Sequence, residues 1–219
     1  MKLVIANKTY SSWSMRPWLL MRVLAIPFDE VVIPLDQPHT AAAIAEFTPA
    51  GKVPVLIDDA AVVWESLAII DHLAERLPHR PIWPDPGAAR ALARSVAAEM
   101  HAGFGALRRA LPMNMRREAR PLAVAYEDAE GLARDIRRIE HLWQDARSRF
   151  GSDGDFLFGT FGAADAMFAP VVHRLHAYAV PVAAPTRRYM DAMMALPAWG
   201  DWQTAADAEG WHLPRIDDR

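Results

Sequence analysis

Three serines lie just after the first apolar run of the chain, at Ser11, Ser12 and Ser14. They precede a helical pattern, so the ordinary role of any one of them is to cap that helix. One helix start cannot use all three hydroxyls, so at least one has another use or faces water. A junction of strand and helix also concentrates N–H donors and positive dipole. The loop is therefore a candidate site for an anion or a thiolate.

A second strand-to-helix turn carries Glu65 and Ser66. Their ordinary role is a helix cap with a carboxylate in the first turn. The functional alternative is a paired site, in which the carboxylate of Glu65 takes an ammonium group while Ser66 and the helix N-terminus take a carboxylate. An α-amino acid head group carries both charges, so this pair indicates a ligand of that class.

Between these two turns lies Lys52-Val53-Pro54, at the start of an apolar run. A proline opens a strand only where its missing N–H is not needed. A cis Val53–Pro54 bond would turn the Val53 backbone outward, where it could pair with a peptide-like ligand. An ordinary trans proline at a sheet edge is the alternative, and the sequence leaves both open.

The chain has no cysteine among its 219 residues, and its formal net charge is −3. The first fact excludes disulfides, Cys-ligated metal sites and a cysteine nucleophile, so any thiol must arrive with a ligand. The second argues against a dedicated nucleic-acid or membrane-surface binder. The first apolar run is too short for a signal peptide or a membrane span, so we expect a cytoplasmic protein.

Residues 1–77, which carry these side chains, are predicted to fold in the order β-α-β-α-β-β-α. The periodicity and the breaking residues predict strands at Leu3–Ala6, Glu30–Pro34, Val53–Ile57 and Ala61–Trp64, and helices at Met15–Ala25, Thr40–Phe47 and Ser66–Leu77. Pro17 is tolerated only in a first turn, which limits how early the first of these helices can begin. This part is a small α/β unit.

Four prolines between residues 78 and 86 stop both helix and strand, so we read a stiff linker there. Residues 87–219 are helical, with helices predicted over about 87–110, 122–150, 163–178, 186–195 and 198–209. On the first of these helices, Met100, His101, Phe104 and Arg108 share one face. Their ordinary role is core packing, and the alternative is to line a pocket for a second substrate. His173 and His176 lack a carboxylate partner at metal-ligand spacing, so no metal is predicted.

The serine loop, the Val-Pro strand, the Glu-Ser helix start, the proline linker and the helical second half together resemble the glutathione S-transferase family. The pattern from Ser11 to Arg16 is most similar to the zeta class and other serine-type members. The resemblance implies an N-terminal thioredoxin-like domain (1–77), a linker (78–86) and an all-helical domain (87–219). It also implies glutathione as co-substrate and a homodimer.

The same resemblance assigns roles to individual residues. Ser11, with Ser12 as the second choice, would contact the glutathione sulfur. The residues implied to bind the rest of glutathione are Val53 beside a cis Pro54, Glu65, Ser66, and Lys52 or His39. The residues implied to line the second-substrate pocket are Trp13, Met100, His101, Phe104 and Arg108, with Trp211 of the tail as a further cover.

Two departures from the family pattern bear on activity and folding. Trp13 stands where the zeta class has cysteine, which weighs against the maleylacetoacetate isomerisation of that class. Gly162 stands where the family usually has a Ser or Thr cap, with Asp165 completing the capping box as a folding residue.

We therefore predict a glutathione transferase, active in detoxification, that conjugates the glutathione thiolate to a small, largely apolar electrophile. A glutathione-dependent isomerase or dehalogenase is the alternative within the family. A ligand-binding protein without catalysis is the alternative from another class. Glutathione and the electrophile are the predicted partners, with no metal, nucleic acid or membrane.

Overall fold

The computed structural model describes residues 1–122 and 128–217. Its first part is a four-stranded sheet in the order β2-β1-β3-β4, in which β1 runs parallel to β2 and antiparallel to β3. The strands are Lys2–Ala6 (β1), Asp29–Ile33 (β2), Val55–Asp58 (β3) and Ala61–Trp64 (β4). The helices of this part are Ser12–Val23 (α1), Thr40–Ala45 (α2) and Ser66–Arg76 (α3). The predicted element order is confirmed.

The second part is helical, as predicted. Its helices are Ala88–Ala102 (α4), Gly105–Ala110 (α5), Ala129–Phe150 (α6), Ala163–Ala177 (α7), Ala184–Met194 (α8), Pro197–Asp207 (α9) and Pro214–Asp217 (α10). Residues 78–86, all of them described, hold no helix or strand, and their role as a linker between domains stays a prediction. Among the described residues, no helix is long and apolar enough to cross a membrane.

Three helix predictions need correction. The helix predicted over 87–110 is two helices, because the chain turns at Gly103 and Phe104, and Phe104 has a left-handed backbone with φ of 60°. The first helix starts at Ser12 rather than Met15, and Pro17 lies in its second turn. The helix predicted to start near residue 122 is seen from Ala129, while residues 123–127 lie outside the described residues.

One hydrophobic core joins the two parts. α1 packs against α7 on one side and α3 on another, and α9 also contacts α1. Fully buried side chains from both parts meet in this cluster, among them Leu3, Leu19, Met167, Phe168 and Trp202. The start of α1, which carries the serines, is therefore held by the sheet and by the helical part together.

Candidate active site

The serine loop begins at the end of β1 and leads into α1. Ser11 is the N-cap residue, and its Oγ accepts the backbone N–H of Ser14 at 3.3 Å. The hydroxyls of Ser11 and Ser14 lie 2.7 Å apart, and Ser14 Oγ accepts the backbone N–H of Ala6 at 3.0 Å. Ser12 is half-buried in the first turn. The capping role thus belongs to Ser11, and Ser14, the third serine of the loop, ties it to β1.

Ser11 can cap α1 and still have its hydroxyl proton available to donate. Each hydroxyl has one proton and two acceptor sites, so the proton between two hydroxyls can belong to either oxygen. When Ser14 donates to Ser11, the Ser11 oxygen accepts two bonds and its own proton is free for a further acceptor. Ser11 can therefore cap α1 and donate to an anion at the same time.

A cavity of about 200 Å³ lies beside this helix start, and its lining comes from three segments. The lining residues are Trp13, Lys52, Val53, Pro54, Trp64 and Glu65. The Val53–Pro54 peptide bond is cis, and the pairing of β3 with its neighbours begins only at Val55, so Val53 lies outside the ladder. Sequence reasoning found these lining residues except Trp64, which is 43% exposed on β4.

Glu65 and Ser66 stand at the start of α3, next to the cavity. Glu65 is the N-cap residue, with φ of 69°, a conformation that L-residues adopt only under constraint from their surroundings. Its carboxylate is about half exposed and lies 3.7 Å from His101 Nε2. The Ser66 hydroxyl is fully buried and has no hydrogen-bond partner among the described residues. An unpaired buried hydroxyl at a helix N-terminus suits a carboxylate.

Trp13 is surrounded by cationic side chains. The guanidinium of Arg16 lies 4.1 Å from the Trp13 ring centre and that of Arg108 lies 4.7 Å from it. Arg16 is buried, and its Nε and Nη1 have no partner among the described residues. Burial, and then repulsion from Arg108 and Arg174, hold the pKa of Arg16 well below its ordinary value. Within the described part of the chain, Glu65 is the carboxylate whose charge opposes this repulsion at Arg16.

His101 packs edge-on against Trp13, with 5.2 Å between the ring centres. Burial is the main cause that lowers the pKa of His101, and the charges of Arg16 and Arg108 lower it further, while Glu65 raises it. We expect a neutral imidazole at pH 7. Its Nδ1 has no partner in the described part of the chain.

The remaining candidate residues lie elsewhere. Met100 is fully buried and Phe104 is 7% exposed, both in the hydrophobic core, so the packing role is the one seen. His39 is the exposed N-cap residue of α2 and does not line the cavity. Trp211 is 37% exposed, and its carbonyl accepts Arg116 Nη2 at 2.7 Å. A contact of these residues with a ligand stays a prediction.

Asp165 has the structural role expected of it. Its two carboxylate oxygens accept the backbone N–H groups of Leu157 and Gly162, each at 3.0 Å. The side chain is 1% exposed, and burial raises its pKa to about 6. Within residues 1–122 and 128–217, no group of three His, Asp or Glu side chains could hold a metal ion.

Residues 10–76 match the family model described as the N-terminal domain of glutathione S-transferase. The match includes the serine loop, the cis proline and the Glu-Ser turn. This part of the chain is therefore similar to the N-terminal domain of the glutathione S-transferase family. A relative from Caenorhabditis elegans, named "Probable maleylacetoacetate isomerase", is 30% identical over 103 residues, which are 47% of this chain and 48% of the relative. The chain thus spans about half the length of this relative.

Solved structures extend the likeness to the whole chain. A glutathione transferase homologue from Burkholderia, crystallised with bound glutathione, has a TM-score of 0.70 at 22% identity and covers 94% of this chain and 98% of its own. A bacterial maleyl pyruvate isomerase, described as a zeta-class glutathione S-transferase, has a TM-score of 0.72 at 21% identity, with 96% and 100% covered. The chain has the glutathione S-transferase fold from its sheet to its last helices.

Proposed function

We propose that the protein is a glutathione-dependent transferase whose site is the cavity between α1 and the start of α3. The observation that carries the proposal is the convergence of Trp13, Val53 and Glu65 on one cavity beside the buried, unpartnered hydroxyl of Ser66. The backbone of Val53, which lies outside the strand ladder, suits the cysteinyl part of a tripeptide. The carboxylate of Glu65 and the hydroxyl of Ser66 suit the amino and carboxyl groups of its γ-glutamyl end.

The interactions proposed for the site are strong enough to ionise the glutathione thiol near neutral pH. A free thiol has a pKa of about 8.5, and lowering it by about two units requires roughly 2.7 kcal/mol. A hydrogen bond from the Ser11 hydroxyl to the thiolate contributes about 1.5–3 kcal/mol. The N-terminus of α1 adds about 0.3–1 kcal/mol. The thiol can therefore release its proton to solvent without a general base. The thiolate then forms a C–S bond with the electrophile, which either loses its leaving group or, where it carries an activated double bond, takes up a proton from solvent.

Glutathione binding is tested by isothermal titration calorimetry on the wild type and on Ser66→Ala. We expect the substitution to weaken binding about tenfold or more, because the ligand carboxylate loses a charge-assisted hydrogen bond. Ser95→Ala is the matched control, since Ser95 lies exposed on α4. No binding to the wild type at millimolar glutathione would favour the non-catalytic ligand-binding alternative. Equal affinities of Ser66→Ala and Ser95→Ala for glutathione would show that Ser66 does not take part in binding it.

The cationic surroundings of Trp13 favour a second candidate function, an isomerase that uses a carboxylate-bearing electrophile. Burial lowers the pKa of Arg108, and burial with repulsion from Arg108 lowers that of Arg174 to about 10. An anion bound near Trp13 would relieve the repulsion among these guanidinium groups. The name of the C. elegans relative and the description of the zeta-class structure point to substrates of this kind.

The choice between an apolar and an anionic electrophile is tested with Arg108→Gln. If the substrate is anionic, kcat/KM for a maleylacetoacetate-type substrate should fall about tenfold or more, because a charge-assisted contact is lost. The rate with neutral chlorodinitrobenzene should change less than about threefold. Arg109→Gln removes the same charge from an exposed position of α5 and serves as the control. Equal losses on both substrates would count against the anionic electrophile.

The homodimer, the cytoplasmic location and the role in detoxification stay predictions.

A further inference from the structure

Two carboxylates from outside the N-terminal domain hold the loop that carries Ser11: Asp217 accepts the Tyr10 hydroxyl, and Glu209 accepts backbone N–H groups. Glu209 follows α9 near the end of the described chain. Its Oε1 accepts the backbone N–H of Lys8 at 2.6 Å, and its Oε2 accepts the backbone N–H of Thr9 at 3.0 Å. Oε2 also lies 2.7 Å from the Thr9 hydroxyl. Two consecutive N–H groups just before the serine loop thus meet one carboxylate more than 190 residues away.

Glu209 is itself held in place. Arg116 donates from Nη1 to the Glu209 carbonyl at 2.7 Å, and from Nη2 to the Trp211 carbonyl at 2.7 Å. The backbone N–H of Met115, the residue before Arg116, donates to the Thr9 carbonyl at 3.0 Å. The segment that binds Glu209 therefore also binds the loop. The backbone that carries the Glu209 carboxylate is therefore itself held by hydrogen bonds from Arg116.

The turn that leads to Ser11 encloses the two residues that Glu209 binds. The backbone N–H groups of Tyr10 and Ser11 both donate to the carbonyl of Asn7, at 3.2 and 2.9 Å. Lys8 and Thr9 lie inside that turn, and their N–H groups point to Glu209 instead. A shift of Lys8 and Thr9 would move Ser11 relative to the cavity.

We propose that Glu209 is a positioning residue that fixes the serine loop so that the Ser11 hydroxyl faces the thiolate. The inference rests on the proposed function, since it names how the thiolate-stabilising group is held. Charge-assisted bonds to backbone N–H groups are stronger than neutral ones, and among the described residues Glu209 supplies them to Lys8 and Thr9, whereas Asp217 binds the Tyr10 side chain. A residue of the C-terminal segment thereby affects the stabilisation of the thiolate, which takes place in the N-terminal domain.

The test compares Glu209→Gln with Asp201→Asn. Glutamine keeps one acceptor oxygen and places an N–H₂ group against an N–H donor. Asp201 lies on α9 and pairs with Arg22 at the surface, so its substitution makes the same charge change away from the loop. In Glu209→Gln, we expect the amides of Lys8 and Thr9 to exchange hydrogen about tenfold faster or more. We expect kcat to fall about tenfold, with KM for glutathione changed less than about twofold.

The KM-against-kcat split separates positioning from a merely structural role, because the groups proposed to bind glutathione lie on other segments. Glu209→Asp keeps the charge and should restore part of kcat, and it replaces the glutamine variant if that variant does not fold. Loop exchange equal to that of Asp201→Asn would overturn the inference, as would faster exchange without a fall in kcat. If the wild type fails to bind glutathione in the calorimetry, the proposed function fails, while the exchange rates still decide whether Glu209 holds the loop.

Discussion

Ser11→Ala is expected to raise the pKa of the bound glutathione thiol by about one to two units and to lower kcat/KM about 10- to 100-fold near neutral pH. The reason is the loss of a hydrogen bond to the thiolate, which is worth about 1.5–3 kcal/mol. The measurement is a pH titration of thiolate absorbance in the complex, combined with turnover of chlorodinitrobenzene. Because Ser11 also caps α1, the variant should lose about 1 kcal/mol of stability as well.

Two further variants separate these roles. Ser11→Thr keeps both the hydroxyl and the cap, so it should keep most of the thiol ionisation. Ser12→Ala removes the neighbouring hydroxyl, which takes no part in the bonds that join Ser11 and Ser14 to Ala6. If Ser12→Ala raises the thiol pKa and Ser11→Ala does not, the assignment of the two serines must be exchanged.

Asp165→Ala is expected to lower the free energy of unfolding by about 4 kcal/mol at pH 7. The change leaves the buried N–H groups of Leu157 and Gly162 without acceptors, at about 1–3 kcal/mol each. Chemical denaturation measures the loss. The control is Asp145→Ala on α6, which removes an exposed pair with Arg149 and should cost less than about 1 kcal/mol.

The loss at Asp165 should depend on pH in a stated direction. Burial raises the pKa of Asp165 from 3.8 to about 6 in the folded protein, so the folded state binds this proton more tightly than the unfolded chain. The contribution of this group to stability is then fully present below pH 3.8 and is lost as the pH rises through 6. The difference between wild type and Asp165→Ala should therefore be larger at pH 4 than at pH 7. A difference that grows as the pH rises would contradict the raised pKa.

The N-terminal half could be predicted well from sequence because its signals are local. Strands β1 and β4 and helix α3 have short apolar or periodic runs that end at polar turns. The bounds of the helices are less predictable from the sequence than the bounds of the strands. The break at Gly103 and Phe104 depends on a left-handed residue that is neither glycine nor asparagine, which no propensity indicates. The early start of α1 depends on the Ser11 cap, which outweighs the Pro17 signal.

The candidate site could be predicted where its residues lie at element starts. Lys52, Val53, Pro54 and Glu65 meet at one cavity. The contact of Glu209 with Lys8 and Thr9 could not be predicted, because Glu209 reaches these residues only through the packing of the helical part. The meeting of the Arg16 and Arg108 guanidinium groups at the Trp13 ring could not be predicted either, because the two arginines are far apart in sequence.

A crystal structure of the protein with bound glutathione would show where the tripeptide and its sulfur lie. We expect the tripeptide in the cavity lined by Trp13, Val53 and Glu65, with its sulfur within hydrogen-bond distance of the Ser11 hydroxyl and its γ-glutamyl carboxylate at Ser66. Glutathione bound elsewhere, or bound with its sulfur away from both Ser11 and Ser12, would contradict the account.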